Sequence, residues 1–407
     1  MIRTFDIIGF AKQHGTPFYL FDEDAFLTNI DILKANLQKY WPEYLPAYSF
    51  KTNYSPYICK LAKEKGCYAE VVSDLEYSLA RKLGYTNEII IYNGPFKGPL
   101  MDEHFLAGGI VNIDNYQEAL RVCRLAVSEP GRQFRCGIRI NLDLGAGFIS
   151  RFGMAENGKE LQESLNAIKD CPNLTLKGLH CHIKAPRDPE SWKRRAETMI
   201  LAADRYISGV PEFISLGSGM VPGRYDEGPE KANEFKPSYS DFAEAMFSPF
   251  IERYGQSAIK PRVFTEPGRA LISRYIKLVA TVDNIKEING RWMATTDASF
   301  HNLGEMCGMT RVPIKVHHTG DGDYYENIDI LGYTCLEQDV MYPAYAGYVS
   351  PGDIVEFGNA GGYSIVYKPQ FMIPQCAMYA LRPNGDTIRI MREETFEDVF
   401  AKFDFQP

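Results

Sequence analysis

The chain has 407 residues, more than one hydrophobic core usually serves, so its length alone predicts two domains or one large barrel with an addition. Hydrophobic residues make up 45% and charged residues 24%, and the net charge is -8 with no basic run, which argues against nucleic-acid binding. No apolar stretch approaches the ~20 residues that cross a bilayer, and MIRTFDIIGFAKQHG has neither an apolar h-region nor a small-residue cleavage site. The expectation is a cytoplasmic protein with no membrane partner.

Taken in chain order, TPFYLFD (16–22) reads as a strand and LTNIDILKANLQKY as a helix with Leu27, Ile30, Leu33 and Leu37 on one stripe. Eight β-rich runs follow: PAYSF (46–50), CYAEVV (67–72), EIIIYN (88–93), IVNID (110–114), RCGIRINL (135–142), LKGLHCHI (176–183), FISLGSG (213–219) and RVFTEP (262–267). Amphipathic runs separate them, from YICKLAKEKG to YSDFAEAMFSPFIERYG, with apolar residues at three- and four-residue steps. Eight βα alternations without a GxGxxG predict a closed (β/α)8 barrel of the TIM type over 27–270, in preference to a doubly wound sheet. From 271 to 407 the pattern changes to β-runs with turn signals, including a hairpin at YALRPNGDTIRIM whose Asn384-Gly385 suits a type I′ turn. The strand at 16–22 has nothing to pair with in a barrel. Residues 1–26 are therefore assigned to a β-rich domain shared with 271–407.

The nine cysteines (59, 67, 123, 136, 171, 181, 307, 335 and 376) form no CxxC pair, as expected for reduced thiols. His180, Cys181 and His182 alternate faces of a strand, so no metal site is predicted. In such a barrel reactive residues sit at the C-terminal ends of strands. Lys51, Asn93, His182, the Gly217-Ser218-Gly219 turn and Glu266 fall there, and Glu70 and, beyond the barrel, Asp297 also sit at predicted strand ends. A desolvated lysine amine can bond covalently to an aldehyde. A glycine turn and the Arg269 of EPGR suit a phosphate. His182 offers a ring face, and Glu266 can hold a proton on a pyridine nitrogen. For Glu70, Asn93 and Asp297 a turn or core role is at least as good a reading, and His180 is read as packing one layer deeper.

In that order and spacing, TPFYLFD, YSFKTNYSP, EVVSDLEYSLARKLG, SRFGM, GLHCHIK, ISLGSGMVPGRY, TEPGRAL, TCLEQD and GNAGGYS make the chain resemble the alanine racemase-fold decarboxylases, which include diaminopimelate and ornithine decarboxylases. The resemblance runs nearly end to end. It implies pyridoxal 5'-phosphate as cofactor, carried on Lys51 as a Schiff base. It implies ring stacking by His182 and phosphate contacts from Gly217, Ser218, Gly219, Arg269 and Tyr363. Glu266 would meet the pyridine nitrogen. Cys335 would be a proton donor supplied by the second subunit of a homodimer with shared active sites.

The departures concern the substrate. HxGS, usual at the stacking histidine, is replaced by His182-Ile183-Lys184-Ala185, and GGG by GSG. The acid that normally follows the cysteine, and grips a distal amine, is replaced by Leu336, with Glu337 and Asp339 displaced. Glu305 stands near the place of the diaminopimelate enzymes' arginine, and Arg311 follows six residues later. Arg311, Leu336 and Glu337 are thus the candidate substrate residues. The reading is decarboxylation of an atypical amino acid rather than ornithine, lysine or diaminopimelate. A racemase of this fold is the alternative, disfavoured by Glu266 and Cys335. A non-catalytic cofactor-binding barrel is the other, disfavoured by the extra β domain.

Overall fold

The computed structural model describes residues 5–145, 147, 149–220, 237–304, 312–367 and 370–406. They fall into two compact units, one drawn from residues between Asn29 and Leu271 and the other from those up to Thr28 and from Ile272 onward.

The strands in chain order are β1 (Phe18–Asp22), β2 (Tyr44–Ser49), β3 (Tyr68–Val71), β4 (Ile90–Tyr92), β5 (Ile110–Ile113), β6 (Phe134–Asn141), β7 (Met154–Ala155), β8 (Leu174–His180), β9 (Phe213–Ser215) and β10 (Arg262–Thr265). Their order β5-β4-β3-β2-β10-β9-β8-β6, with β5 also paired to β6, closes an eight-strand ring, and β7 pairs with β6 outside it. Every pairing in the ring is parallel. This is the expected barrel. Ala47, Ile91, Ile110, Phe213 and Phe264 pack into one cluster within it. The helix at Pro189–Tyr206 shows how the outer layer is specified. Asp188 caps its first turn by accepting the Ser191 N–H at 2.9 Å, and Trp192, Ala196, Met199 and Ala203 are buried at helical spacing.

The helix before β2 spans Glu23–Tyr40. Its buried stripe runs Phe26, Ile30, Leu33 and Leu37, and Leu27 is only half-buried, so the predicted stripe is one residue out at its start. A helix at Ile7–His14, absent from the sequence reading, is capped by Asp6.

The other unit contains β1 and β11 (Ile276–Ile288), β12 (Arg291–Thr296), β13 (Ile314–His317), β14 (Asp323–Leu331), β15 (Val340–Val349), β16 (Ile354–Phe357), β17 (Ala377–Leu381) and β18 (Thr387–Met391). Here β1 lies between antiparallel β11 and parallel β17, so the N-terminal strand completes the C-terminal sheet. Phe10, Phe18, Leu20, Val279 and Ile354 pack into its core. The hairpin β17–β18 forms, with a different turn from the one predicted. Gly385 N–H donates to the Arg382 carbonyl at 2.8 Å, and Gly385 has φ 87° while Asn384 has no positive φ. Type I′ needs positive φ at both central residues, and Pro383 cannot supply one. The loop is therefore a type I turn closed by a left-handed glycine.

Candidate active site

Glu266 directly follows β10 and has no exposed surface. Four donors converge on its carboxylate: His180 Nε2 at 3.0 Å, His182 Nδ1 at 3.1 Å, Ser215 Oγ at 2.8 Å and Asn93 Nδ2 at 3.0 Å. Burial alone would raise its pKa, but the His180 and His182 rings hold it well below the ordinary carboxylate range. His182 is itself pushed down to about 4, chiefly by burial, so its imidazole is neutral at neutral pH.

Asn93 extends this group across the barrel. Its amide also donates to Glu70 Oε1 at 3.2 Å, and its oxygen accepts from Asn112 at 2.8 Å. Glu70 lies on β3, accepts Ser49 Oγ at 2.6 Å and ion-pairs with Lys51 Nζ. Lys51 itself sits in the single 3-10 turn Phe50–Thr52 that ends β2. One chain of hydrogen bonds therefore runs from Lys51 through Glu70 and Asn93 to Glu266. These residues, with Arg139 and Phe152, line a cavity of about 580 Å³ at the C-terminal ends of the strands.

The glycine turn follows β9. Gly217 has φ 69°, and a Cβ there would lie 2.3 Å from the Cys181 carbonyl oxygen, so only glycine fits. Glu266 N–H donates to the Gly217 carbonyl at 2.7 Å, which ties the turn to the EPGR segment. Arg269 opens the short helix Arg269–Ile272 and is half-buried. Beneath the turn, the buried Arg195 donates through Nη1 to the carbonyls of Leu216 at 2.7 Å and Ser218 at 2.8 Å.

The structure thus brings Lys51, His182 and Glu266 into one cavity, and hydrogen-bonds the Gly217–Gly219 turn to the segment that carries Arg269. Sequence reasoning left Glu70, Asn93 and His180 unassigned and missed Arg139, Ser215 and Arg195. His180 does more than pack, since it bonds Glu266. The period-2 pattern placed several of them at strand ends. An arginine on the buried stripe of the Pro189–Tyr206 helix was the available signal for Arg195.

Cys335, Leu336, Glu337 and Tyr363 belong to the other unit. Cys335 and Glu337 are exposed and Leu336 is half-buried. Asp339 is no displaced substrate acid. It is buried, accepting the N–H groups of Phe300 at 2.9 Å and Thr334 at 3.1 Å and the Thr334 hydroxyl at 2.6 Å. Asp297 likewise serves the sheet, bonded to Thr16 and to the Thr281 N–H. Tyr363 holds φ 62° and Asn359 φ 56°, left-handed conformations that side chains rarely adopt. Arg311, Glu305 and Cys307 lie outside the described residues.

The donor set fits a pyridoxal group: an amine beside a carboxylate, a buried acid held ionised, a glycine cradle with no room for a side chain. By distance alone His180, His182 and Glu266 could also hold a metal ion, their ligand atoms lying within 4.8 Å of one another. Barrel and site together define a cofactor-dependent barrel enzyme. The family model for the pyridoxal-dependent decarboxylase, pyridoxal binding domain, matches residues 27–273. The chain belongs to this family of pyridoxal phosphate-dependent amino-acid decarboxylases. It is 26% identical to a diaminopimelate decarboxylase of Methanothermobacter thermautotrophicus, over 97% of this chain and 93% of that one. It is also 26% identical to the L-glutamyl-[BtrI acyl-carrier protein] decarboxylase of Niallia circulans, over 97% and 95%. A solved diaminopimelate decarboxylase from M. jannaschii has the same fold, with TM-score 0.86, 22% identity and 98% and 95% coverage. Among the described residues no helix is long and apolar enough to cross a membrane.

Proposed function

We propose that this enzyme decarboxylates an amino acid other than ornithine, lysine or diaminopimelate, with Lys51 carrying the cofactor covalently. The observation that carries the reading is the hydrogen-bonded chain from Lys51 through Glu70 and Asn93 to Glu266. When bound, pyridoxal phosphate supplies an electron sink for the carbanion left by departing carbon dioxide. The protein's residues do the rest. Glu70 orients the Lys51 amine by accepting its N–H at Oε2. His180, Ser215 and Asn93 fix Glu266, which keeps a proton on a pyridine nitrogen. His182 is 26% exposed and His180 only 1%, so His182 is the donor that can leave Glu266 and free a ring face, while His180 still reaches Oε2 at 3.3 Å. Gly217, Ser218, Gly219, Arg269 and Tyr363 are assigned to the phosphate.

The substrate reading rests on Leu336, which cannot pair a distal ammonium, and an unpaired buried charge costs several kcal/mol. The exposed Cys335 is assigned as proton donor to the site of a second copy in a homodimer. The test is carbon dioxide release from a panel of D- and L-amino acids. Efficient turnover of ornithine, lysine or meso-diaminopimelate, at about 10⁴ M⁻¹s⁻¹ or better in kcat/KM, refutes the substrate reading.

A further inference from the structure

We propose that Arg151 and Lys184 form an anion site in the barrel cavity that receives an acidic group on the substrate's side chain. This rests on the decarboxylase reading and adds the substrate class: amino acids whose tail carries a carboxylate or phosphate-type group and no free ammonium.

The cavity wall carries four cations, Lys51, Arg139, Arg151 and Lys184, and two carboxylates, Glu70 and Glu266. Lys51 is paired with Glu70, and Arg139 with Asp114 at 3.1 Å. Among the described residues no carboxylate forms an ion pair with Arg151 or Lys184. The Arg139 and Arg151 guanidinium groups both lie on the Phe152 ring, at 4.9 and 4.5 Å from its centroid. Asp114 already balances Arg139, whereas an incoming anion would supply the counter-charge that Arg151 lacks among the described carboxylates. Lys184 also lines the adjoining smaller cavity with Phe152 and His182.

Both cations project from pinned backbone. Asn141 Nδ2 donates to the carbonyls of Ser150 at 2.7 Å and Phe152 at 2.8 Å, bracketing Arg151. Asp114 accepts the Gly153 N–H at 3.2 Å. On the other side, Arg187 Nε donates to the Lys184 carbonyl at 2.8 Å, and Ser191 Oγ to the Pro186 carbonyl at 3.0 Å. Such anchoring lowers the entropy lost when a ligand is gripped. The glycine turn and Arg269, assigned to the cofactor phosphate, are not part of this cavity lining. The anion to be balanced here is the substrate's own. An ammonium tail would meet like charge here.

The holoenzyme is titrated with L- and D-2-aminoadipate, 2-amino-5-phosphonopentanoate, norleucine and lysine, and the change in cofactor absorbance is followed. An acidic amino acid should half-saturate at a concentration about tenfold or more below norleucine and lysine. The double variant R151Q/K184Q should erase that gap and leave norleucine unchanged. Lys184 and Arg151 are exposed, so the fold tolerates the change. The proposal is overturned if norleucine or lysine binds as well as the acids, or if no acidic probe responds. It is also overturned if the double variant keeps the preference, or loses only cofactor affinity, which would assign both cations to the cofactor. Carbon dioxide release is measured in parallel. Acid binding that depends on Arg151 and Lys184 without release defeats the decarboxylase reading alone, whereas release from a neutral or basic tail defeats the anion site alone.

Discussion

The two units each hold a loop with one buried charge, and the charges are opposite. In the barrel, Arg195 collects the carbonyls of Leu216 and Ser218 beneath the glycine turn. In the β-rich unit, Asp339 collects the N–H groups of Phe300 and Thr334 beneath the loop that bears Cys335. The sign decides what each loop can offer outward. A turn whose carbonyls are tied inward is left with N–H groups for an anion such as a phosphate. A loop whose N–H groups are tied inward presents side chains, here the Cys335 thiol. Burial lowers Arg195 to about 10, which still leaves it charged at neutral pH. Charge-assisted bonds to backbone offset part of the cost of burying each charge.

The largest expected effect separates cofactor chemistry from loop support. Lys51→Ala should lower turnover by about 10⁴-fold or more, since both the covalent anchor and a proton carrier are lost. Borohydride fixation of the cofactor to any lysine other than Lys51, found by peptide mapping, would sink that assignment. Glu266→Gln should keep the cofactor but lower turnover by about 100-fold, because the pyridine nitrogen loses its counter-charge. Turnover equal to the parent's would show that Glu266 plays no part in the electron sink.

The comparison itself is tested by a pair of variants. Arg195→Met should weaken cofactor retention by about tenfold, with activity recovered at saturating cofactor. Asp339→Ala leaves three donors without their acceptor and should lower stability by about 2–3 kcal/mol, read from urea unfolding, while cofactor retention is unchanged. If Asp339→Ala loses cofactor and Arg195→Met does not, the division of labour is wrong.

The smallest effect concerns a carboxyl beside the Lys51–Glu70 pair. Glu76 is raised to about 7, first by burial and then by the charge of Glu70. Its unfolded-state value is about 4.3, so between these values the folded protein holds a proton that the unfolded chain has lost. Stability should therefore fall as pH rises through that window. Glu76→Gln removes the penalty, and should raise stability by about 1–3 kcal/mol above pH 7 with little gain near pH 4. Melting temperatures of both proteins at the two pH values give the answer, and an equal gain at both would contradict the titration of Glu76.

Much of the barrel was legible in the chain because strand and helix periodicity are local. The eight β-runs, the glycine turn and the placement of Lys51, His182 and Glu266 at strand ends all follow from period-2 and 3.6-residue patterns. The N-terminal strand's place in the C-terminal sheet followed by elimination. The hairpin was read and its turn was not, because Asn384-Gly385 suits a two-residue loop but Pro383 makes a type I turn the easier one.

What the sequence by itself determined is the list of elements, the order of the motifs and the chemical types at the strand ends. What only the tertiary structure decided is which of those residues meet. Asn93 and Glu266 are 173 positions apart, and His182 and Glu266 are 84 apart. No local preference links such pairs; closure of the ring between β5 and β6 and between β2 and β10 does. Glu70 becomes the partner of Lys51 more locally, because β3 lies parallel beside β2 with Glu70 opposite Ser49. Arg195 and Asp339 belong with them, because a buried charge is tolerable only where the folded backbone supplies the groups that solvate it.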